Sequence, residues 1–270
     1  MNILDKIVAR KQEEVAQRKG ERAESLLRES STFSRKTISL SGSLKKKQTN
    51  GVPAIIAEFK RKSPSKGVIN AKADVRQTTT GYVNAGAAAL SVLTDIDFFD
   101  GSDENLRMAR RYNDCPILRK DFTIDTYQIT EAKALGADAV LLIAAILHPE
   151  EVQQLAACAR ELGLEVLLEV HNAEELEKTA LDKNIAPYIN VVGVNNRNLK
   201  TFEVSIQTSV ALAEMMPRDM VKISESGISD PENIRTLMQH GYEGFLIGET
   251  FMKEADPAAA CQRFISQILA

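Results

Sequence analysis

The sequence predicts an α/β protein of the closed (β/α)8, or TIM, barrel type with an N-terminal helical extension, and two observations carry this prediction. Eight short apolar runs begin roughly 23 to 33 residues apart, and a polar turn and a helical pattern follow each run. Runs such as Val140–Ile143 are apolar at consecutive positions, which is typical of strands buried on both faces. Because no break in composition interrupts the eight units, a closed barrel is favoured over an open doubly wound sheet, the main rival.

The N-terminal part of the chain is predicted to form a helix and a linker. We expect the extension to occupy residues 1–48 and the barrel residues 49–270. Within residues 2–18, apolar side chains recur at helical spacing between charges: Ile3, Leu4, Ile7, Val8 and Val15. The stretch Ser41–Asn50 is polar and basic, which predicts a solvated linker.

The predicted strands and helices then alternate to the end of the chain. In chain order the strands are Ala54–Phe59, Ala87–Leu93, Pro116–Arg119, Ala139–Ala144, Glu165–Val170, Val191–Asn195, Met220–Ser224 and Gly244–Ile247. The clearest intervening helical patterns are Glu150–Leu162 and Asp230–His240.

Composition excludes several classes of function. The 270 residues are 44% hydrophobic and 26% charged, which suits a large core under a charged surface. The 34 basic and 37 acidic residues leave a net charge of -3, so neither a nucleic-acid footprint nor a polybasic membrane patch is expected. The longest apolar run, Ala139–Leu147, is too short to span a bilayer, and the N-terminus lacks the apolar core of a signal peptide. Three widely spaced cysteines without a C-x-x-C pair argue against disulfides and zinc, so a cytoplasmic location is expected.

Charged side chains are concentrated at the ends of the predicted strands, where a barrel holds its active site. At period two, Glu58 and Lys60 share a face of the first strand. The other strand-end residues are Lys120, Glu169, Asn195, Arg197 and Glu225. Each alone is compatible with a salt bridge or a solvated rim, but so much charge at one mouth is costly unless it is paired or meets a charged ligand. We therefore expect a functional cluster.

Lysine and glutamate can act as general acid and general base near neutral pH when their surroundings shift their pKa values. Either lysine can alternatively form a Schiff base with a carbonyl substrate. No His, Asp and Glu set has metal-ligand spacing, so we expect no metal. Only three histidines are present, so we expect other titratable groups to carry the chemistry.

Glycines after the last two strands predict a phosphate site. Ser226-Gly227-Ile228 follows the seventh strand and Gly248-Glu249-Thr250 follows the eighth. Glycine lets backbone N–H groups approach an anion closely, and barrels commonly bind phosphate at this position. Two ordinary turn glycines are the structural alternative. We expect Glu249 to contribute its N–H and to point its carboxylate away.

The segment Ile56–Gly67, IAEFKRKSPSKG, resembles the signature of indole-3-glycerol phosphate synthases. The resemblance continues in family order over most of residues 52–250, through Leu93–Asp95, Leu118–Phe122, Leu168–His171, Gly193–Leu199, Ser224–Ile228 and Leu246–Glu249. It implies a (β/α)8 barrel that converts 1-(2-carboxyphenylamino)-1-deoxyribulose 5-phosphate into indole-3-glycerol phosphate during tryptophan biosynthesis. Carbon dioxide and water are released, and no cofactor is needed.

The resemblance also implies residue roles. Lys120 is the general acid on the substrate carbonyl, and Glu169 stabilises the cationic intermediate or acts as base during dehydration. Lys60 neutralises substrate anions and is a candidate acid for the hydroxyl that leaves. Glu58 positions Lys60, Asn195 orients Glu169 or the substrate, and Ser226 belongs to both the catalytic and the phosphate-binding sets. The remaining substrate and phosphate contacts are Ser63, Phe99, Phe122, Leu141, Arg197, Leu199, Glu225, Leu246, Gly227, Gly248 and Glu249, with Lys60 and Arg197 as the cations near the phosphate. For the apolar members, ordinary core packing is the alternative.

Other functions stay open at this stage. A Schiff-base aldolase, a sugar-phosphate isomerase and a non-catalytic phosphate-binding module all suit a phosphate-binding barrel. We expect a small phosphorylated substrate and a monomer, with a weak homodimer as the alternative. The polar loop Arg61–Gly67 is predicted to close over the substrate.

Overall fold

The computed structural model describes residues 3–198 and 201–269, and within them eight parallel strands close into a barrel. Each strand pairs with the next one in the chain, and the last strand pairs with the first, for example Ala54 with Gly244 and Ala57 with Ile247. The barrel strands are β1 Ala54–Phe59, β2 Ala89–Leu93, β3 Ile117–Lys120, β4 Ala139–Ile143, β5 Glu165–Val170, β6 Val191–Asn195, β7 Lys222–Glu225 and β8 Gly244–Ile247. The predicted closed barrel is confirmed, and no predicted strand boundary is wrong by more than two residues.

Helices precede the barrel and alternate with its strands. They are α1 Ile3–Glu21, α2 Glu24–Arg28, α3 Leu40–Thr49, α4 Val75–Asn84, α5 Ile96–Phe99, α6 Asp103–Tyr112, α7 Thr126–Leu135, α8 Pro149–Glu161, α9 Ala173–Lys178, α10 Gln207–Ala213, α11 Pro231–Gln239, α12 Glu249–Met252 and α13 Pro257–Leu269. Short 3₁₀ turns span Ala144–Ile146 and Ala186–Tyr188, and a small hairpin pairs Lys62–Ser63 with Gly67–Val68. No helix in the described ranges is both long and apolar enough to cross a membrane.

Two apolar layers follow from the alternation of side chains along each strand. Inward-facing residues such as Ile56, Leu167 and Ile223 fill the barrel interior. Outward-facing residues such as Ile55 and Leu168 pack against the helices. Both faces are buried, which explains why the strands read as unbroken apolar runs.

The expected solvated linker at Ser41–Asn50 is wrong, because most of this stretch belongs to α3. Ser39 caps the helix by accepting a hydrogen bond from the Gly42 N–H. Leu40 and Leu44 are fully buried and join the apolar cluster of the barrel interior. The lysines of α3 hid this short apolar face in the sequence. The 1–48 and 49–270 division itself stays a prediction.

Candidate active site

A cavity opens at the C-terminal ends of the strands. Two of its charged side chains, Glu58 and Lys60, lie at the end of β1 and directly after it. Lys60 Nζ lies 2.7 Å from Glu58 Oε1, and Ser91 Oγ donates to Glu58 Oε2 at 3.3 Å. The cavity is lined by nearly all of the predicted site residues: Glu58, Lys60, Ser63, Phe99, Lys120, Phe122, Leu141, Glu169, Asn195, Arg197, Glu225, Ser226, Gly227, Leu246, Gly248 and Glu249. Leu199, the remaining predicted site residue, lies outside the described residues.

Lys120 lies between two buried carboxylates. Its ammonium group donates to Glu225 Oε2 at 2.7 Å and to Glu169 Oε2 at 2.9 Å. Because β6 carries Gly193 at the inward position between them, the Glu225 carboxylate has room to reach the lysine. A Cβ at Gly193 would lie 2.2 Å from Glu225 Oε1.

The three groups differ in how their surroundings shift their pKa values. Burial acts to lower the pKa of Lys120, but Glu169 and Glu225 outweigh it, so the pKa is raised and the ammonium stays protonated. Burial acts to raise the pKa of Glu169, yet the charges of Lys120 and His171 bring it down to about 2. Burial raises the pKa of Glu225 to about 7; Lys120 opposes the rise and Glu169 adds to it. At neutral pH the site therefore holds the protonated Lys120, which can act as an acid, beside the ionised Glu169, which can act as a base.

Two further side chains hold Glu169. Asn195 Nδ2 donates to Glu169 Oε1 at 3.0 Å, and Asn195 Oδ1 accepts from the Arg197 N–H at 3.0 Å. His171 Nε2 lies 3.3 Å from the same Glu169 oxygen, but its alignment is too poor for a hydrogen bond, so the contact is electrostatic. His171 Nδ1 lies 3.2 Å from Glu175 Oε2. Burial acts to lower the His171 pKa, but Glu175 and Glu169 raise it above the ordinary value.

Sequence reasoning did not assign His171 a role. The available signal was its position two residues after Glu169, which puts it on the same face where the strand ends.

The predicted phosphate end lies where β7 and β8 finish. Ser226 and Gly227 both have positive φ angles, 67° and 71°, a conformation that is uncommon for serine. Gly248 runs close to β1, where an added Cβ would lie 2.5 Å from Glu58 Oε1.

The carboxylate of Glu249 does not point away from the site, contrary to the prediction. Glu249 Oε1 lies 3.3 Å from Lys66 Nζ, and Glu249 Oε2 lies 3.9 Å from Arg197 Nη2. Lysine and arginine attract the carboxylate to the mouth of the cavity, where their own charges are partly neutralised. Lys66 belongs to the Arg61–Gly67 loop, whose Ser63, Pro64 and Ser65 line the cavity. Closure of this loop stays a prediction.

The apolar side of the cavity is built by the barrel and by the N-terminal extension together. The Phe99 and Phe122 rings lie 5.9 Å apart between centroids, tilted by 40°. Leu141 and Leu246 line the same cavity, as do three residues of α1: Ile3, Leu4 and Ile7. The sequence predicted the amphipathic helix but not that its apolar face would line the cavity.

A closed (β/α)8 barrel with paired lysines and glutamates at the C-terminal ends of its strands defines the chain as a barrel enzyme. Comparison with known proteins identifies the family: a profile described as indole-3-glycerol phosphate synthase matches residues 4–264, and the chain belongs to that family. The indole-3-glycerol phosphate synthase of Bacteroides thetaiotaomicron is 48% identical over 99% of both chains. That of Bordetella pertussis is 43% identical over 98% of this chain and 99% of its own.

Solved structures with low sequence identity share the fold alone. Tryptophan synthase subunit alpha from Legionella pneumophila covers 84% of this chain and 95% of its own at a TM-score of 0.57 and 15% identity. Thiamine phosphate pyrophosphorylase from Pyrococcus furiosus covers 83% of this chain and 100% of its own at a TM-score of 0.58.

Proposed function

We propose that the cavity converts 1-(2-carboxyphenylamino)-1-deoxyribulose 5-phosphate into indole-3-glycerol phosphate, the reaction of the family to which the chain belongs. The observation that carries the proposal is the Lys120 ammonium held at 2.7 and 2.9 Å by Glu225 and Glu169. The same cavity is lined by Phe99 and Phe122, which suit an aromatic ring, and by Arg197, which suits a phosphate. A cytoplasmic location and a monomer stay predictions.

The first chemical step forms the ring. The aromatic carbon that bears the carboxylate attacks the substrate carbonyl carbon, and Lys120 donates a proton to the carbonyl oxygen. The electron pair of the carbon–carboxylate bond then returns to the ring as carbon dioxide leaves. Because the iminium formed by the attack accepts these electrons, the substrate supplies its own electron sink.

Dehydration completes the indole. Glu169, ionised because its pKa is about 2, takes the proton released as the pyrrole ring becomes aromatic. Lys60, held by Glu58 at 2.7 Å, protonates the departing hydroxyl so that water leaves. Asn195 keeps the Glu169 carboxylate oriented through the hydrogen bond at 3.0 Å. Ser226, Gly227 and Gly248, with Arg197 nearby, bind the substrate phosphate.

Turnover of the purified chain tests the proposal. Indole formation is followed by fluorescence, and Lys120→Ala is expected to reduce kcat by more than ~100-fold, the scale of general acid catalysis. Lys178→Ala is the matched control, because Lys178 lies on the surface in an ion pair with Glu174. Full activity in Lys120→Ala would contradict the assigned role.

A Schiff-base aldolase makes a different prediction. The raised pKa of Lys120 keeps its amine protonated, which opposes nucleophilic attack on a carbonyl. Borohydride added with the substrate should therefore leave every lysine unmodified. A lysine adduct seen by mass spectrometry would favour the aldolase.

A further inference from the structure

Lys11 is buried in an unusual way for a lysine of a terminal helix. Its side chain is 1% exposed, and its ammonium group lies 2.8 Å from Asp121 Oδ1, 2.9 Å from Asp95 Oδ2 and 2.7 Å from Glu14 Oε2. Glu14 belongs to α1 itself, whereas the two aspartates stand at the ends of β2 and β3. Lys11 does not line the cavity itself, but its partner Asp121 does.

Each aspartate holds a segment that bears an aromatic ring of the cavity. Asp95 Oδ1 accepts from the Phe98 N–H at 2.8 Å and thereby caps α5, which carries Phe99. Asp121 Oδ1 accepts from the Phe122 N–H at 2.8 Å. Asp121 also follows Lys120 directly in the chain.

We propose that Lys11 is a positioning residue that sets the spacing of the Phe99–Phe122 pair, by holding Asp95 and Asp121 on one ammonium group. The role rests on the proposed function, in which this pair receives the aromatic ring of the substrate. Without the Lys11 charge, two buried carboxylates that both face the same space repel each other, which separates the segments they hold.

Arg119 determines how the loss of Lys11 is distributed. Its Nη2 lies 3.5 Å from Asp121 Oδ2 and 2.6 Å from Glu131 Oε2, so Asp121 keeps a neighbouring cation. Removal of the Lys11 ammonium group therefore leaves Asp95 with less neighbouring positive charge than Asp121. The displacement is expected mainly in α5, and hence at Phe99.

Arg35 provides a matched control within the same N-terminal extension. Its Nη2 lies 2.6 Å from Asp138 Oδ1, a fully buried carboxylate directly before β4. That end of the barrel is opposite the cavity. Arg110 lies 2.8 Å from the other oxygen of Asp138. Arg35→Met thus removes one extension cation from a buried aspartate at the end of the barrel away from the cavity.

The experiment compares steady-state kinetics of Lys11→Met and Arg35→Met at a temperature where thermal unfolding shows both to be folded. Lys11→Met is expected to lower kcat/KM by roughly 10- to 100-fold, mainly through KM, which is the scale of a small misplacement at a site. Arg35→Met should leave kcat and KM at the wild-type level, because it does not alter the contacts that hold the ends of β2 and β3. Equal kinetic constants for the two variants would overturn the role of Lys11.

Inorganic phosphate as a competitive inhibitor separates the two ends of the site. Its inhibition constant should be the same in Lys11→Met and in the wild type, because Lys11 acts at the aromatic end. If the phosphate inhibition constant and the substrate KM rose together, the substitution would have disturbed both ends of the site, and the proposal would be overturned.

A milder variant covers the case in which Lys11→Met does not fold. Asp95→Asn removes one charge that Lys11 binds, while the amide oxygen can still cap α5. KM should rise in this variant, and an unchanged KM would overturn the proposal. Inactivity of the wild-type chain would instead contradict the proposed function, so the two failures are distinguishable.

Discussion

Glu225→Gln tests the electrostatics of the site through the pH dependence of folding. Glu225 is 2% exposed, and burial raises its pKa to about 7 from the ordinary glutamate value of 4.5. A glutamate whose pKa is higher in the folded than in the unfolded chain stabilises the fold when it is protonated. This contribution is complete below the unfolded pKa and is lost as the pH rises through the folded pKa.

The magnitude follows from the two pKa values. Between pH 5 and pH 8 the wild type should lose on the order of 2 kcal/mol of unfolding free energy through this one group, since one pKa unit corresponds to about 1.4 kcal/mol. Glutamine has the shape of the protonated acid and does not titrate. The unfolding free energy of Glu225→Gln, relative to that of the wild type, should therefore be higher at pH 8 than at pH 5.

Urea unfolding at pH values from 5 to 8 measures this difference. Glu177→Gln is the control, because Glu177 is an exposed glutamate of the short helix after β5. The reasoning would be refuted if the free-energy difference between Glu225→Gln and the wild type were the same at pH 5 and pH 8. It would also be refuted if the unfolding free energy of the Glu177→Gln control, relative to the wild type, changed with pH as much as that of Glu225→Gln.

Three further variants test other parts of the structure. Asn195→Ala removes the 3.0 Å hydrogen bond to Glu169 and should lower kcat by roughly 10- to 100-fold, as expected for a bond to a charged group. An unchanged single-turnover rate constant would argue against the orienting role of Asn195. His171→Gln should destabilise the fold more at pH 5.5 than at pH 8.5. The reason is that the protonated His171, whose pKa is raised, stabilises the fold at low pH, and this contribution is lost as the pH rises through the folded pKa. Equal losses of unfolding free energy at both pH values in chemical denaturation would contradict this. Leu44→Ala, at a fully buried site, should cost about 2 to 5 kcal/mol of unfolding free energy without changing kcat of the folded enzyme. A loss below about 1 kcal/mol would mean that Leu44 is not part of the apolar interior of the barrel.

The strand pattern was readable because burial on both faces makes each strand a continuous apolar run. Four of the predicted strands, including Ala54–Phe59 and Glu165–Val170, match the structure at both ends. The others shift by one or two residues. Met220 and Val221, for instance, are apolar but precede the first ladder pairing at Lys222. The prediction failed at α3, where a single buried face of two leucines stands among lysines and serines.

The site residues were largely predictable because strand ends converge in any barrel. Period-two spacing put Glu58 and Lys60 on one face, and the two side chains meet at 2.7 Å. Spacing along the chain could not predict which groups pair across strands. Lys120 meets Glu225, 105 residues away, because β3 and β7 face each other across the barrel and Gly193 leaves the space between them.

The sequence by itself determined the barrel, its strand order and the types of charged group at its mouth, since these depend on local periodicity and on short motifs. Only the tertiary structure decided the protonation states and the partners. Burial and distance give Glu169 a pKa of about 2 and Glu225 a pKa of about 7, although both are glutamates at strand ends. The same reason applies to Lys11: its sequence position is that of an ordinary helix lysine, and packing of α1 on the barrel encloses its charge among three carboxylates.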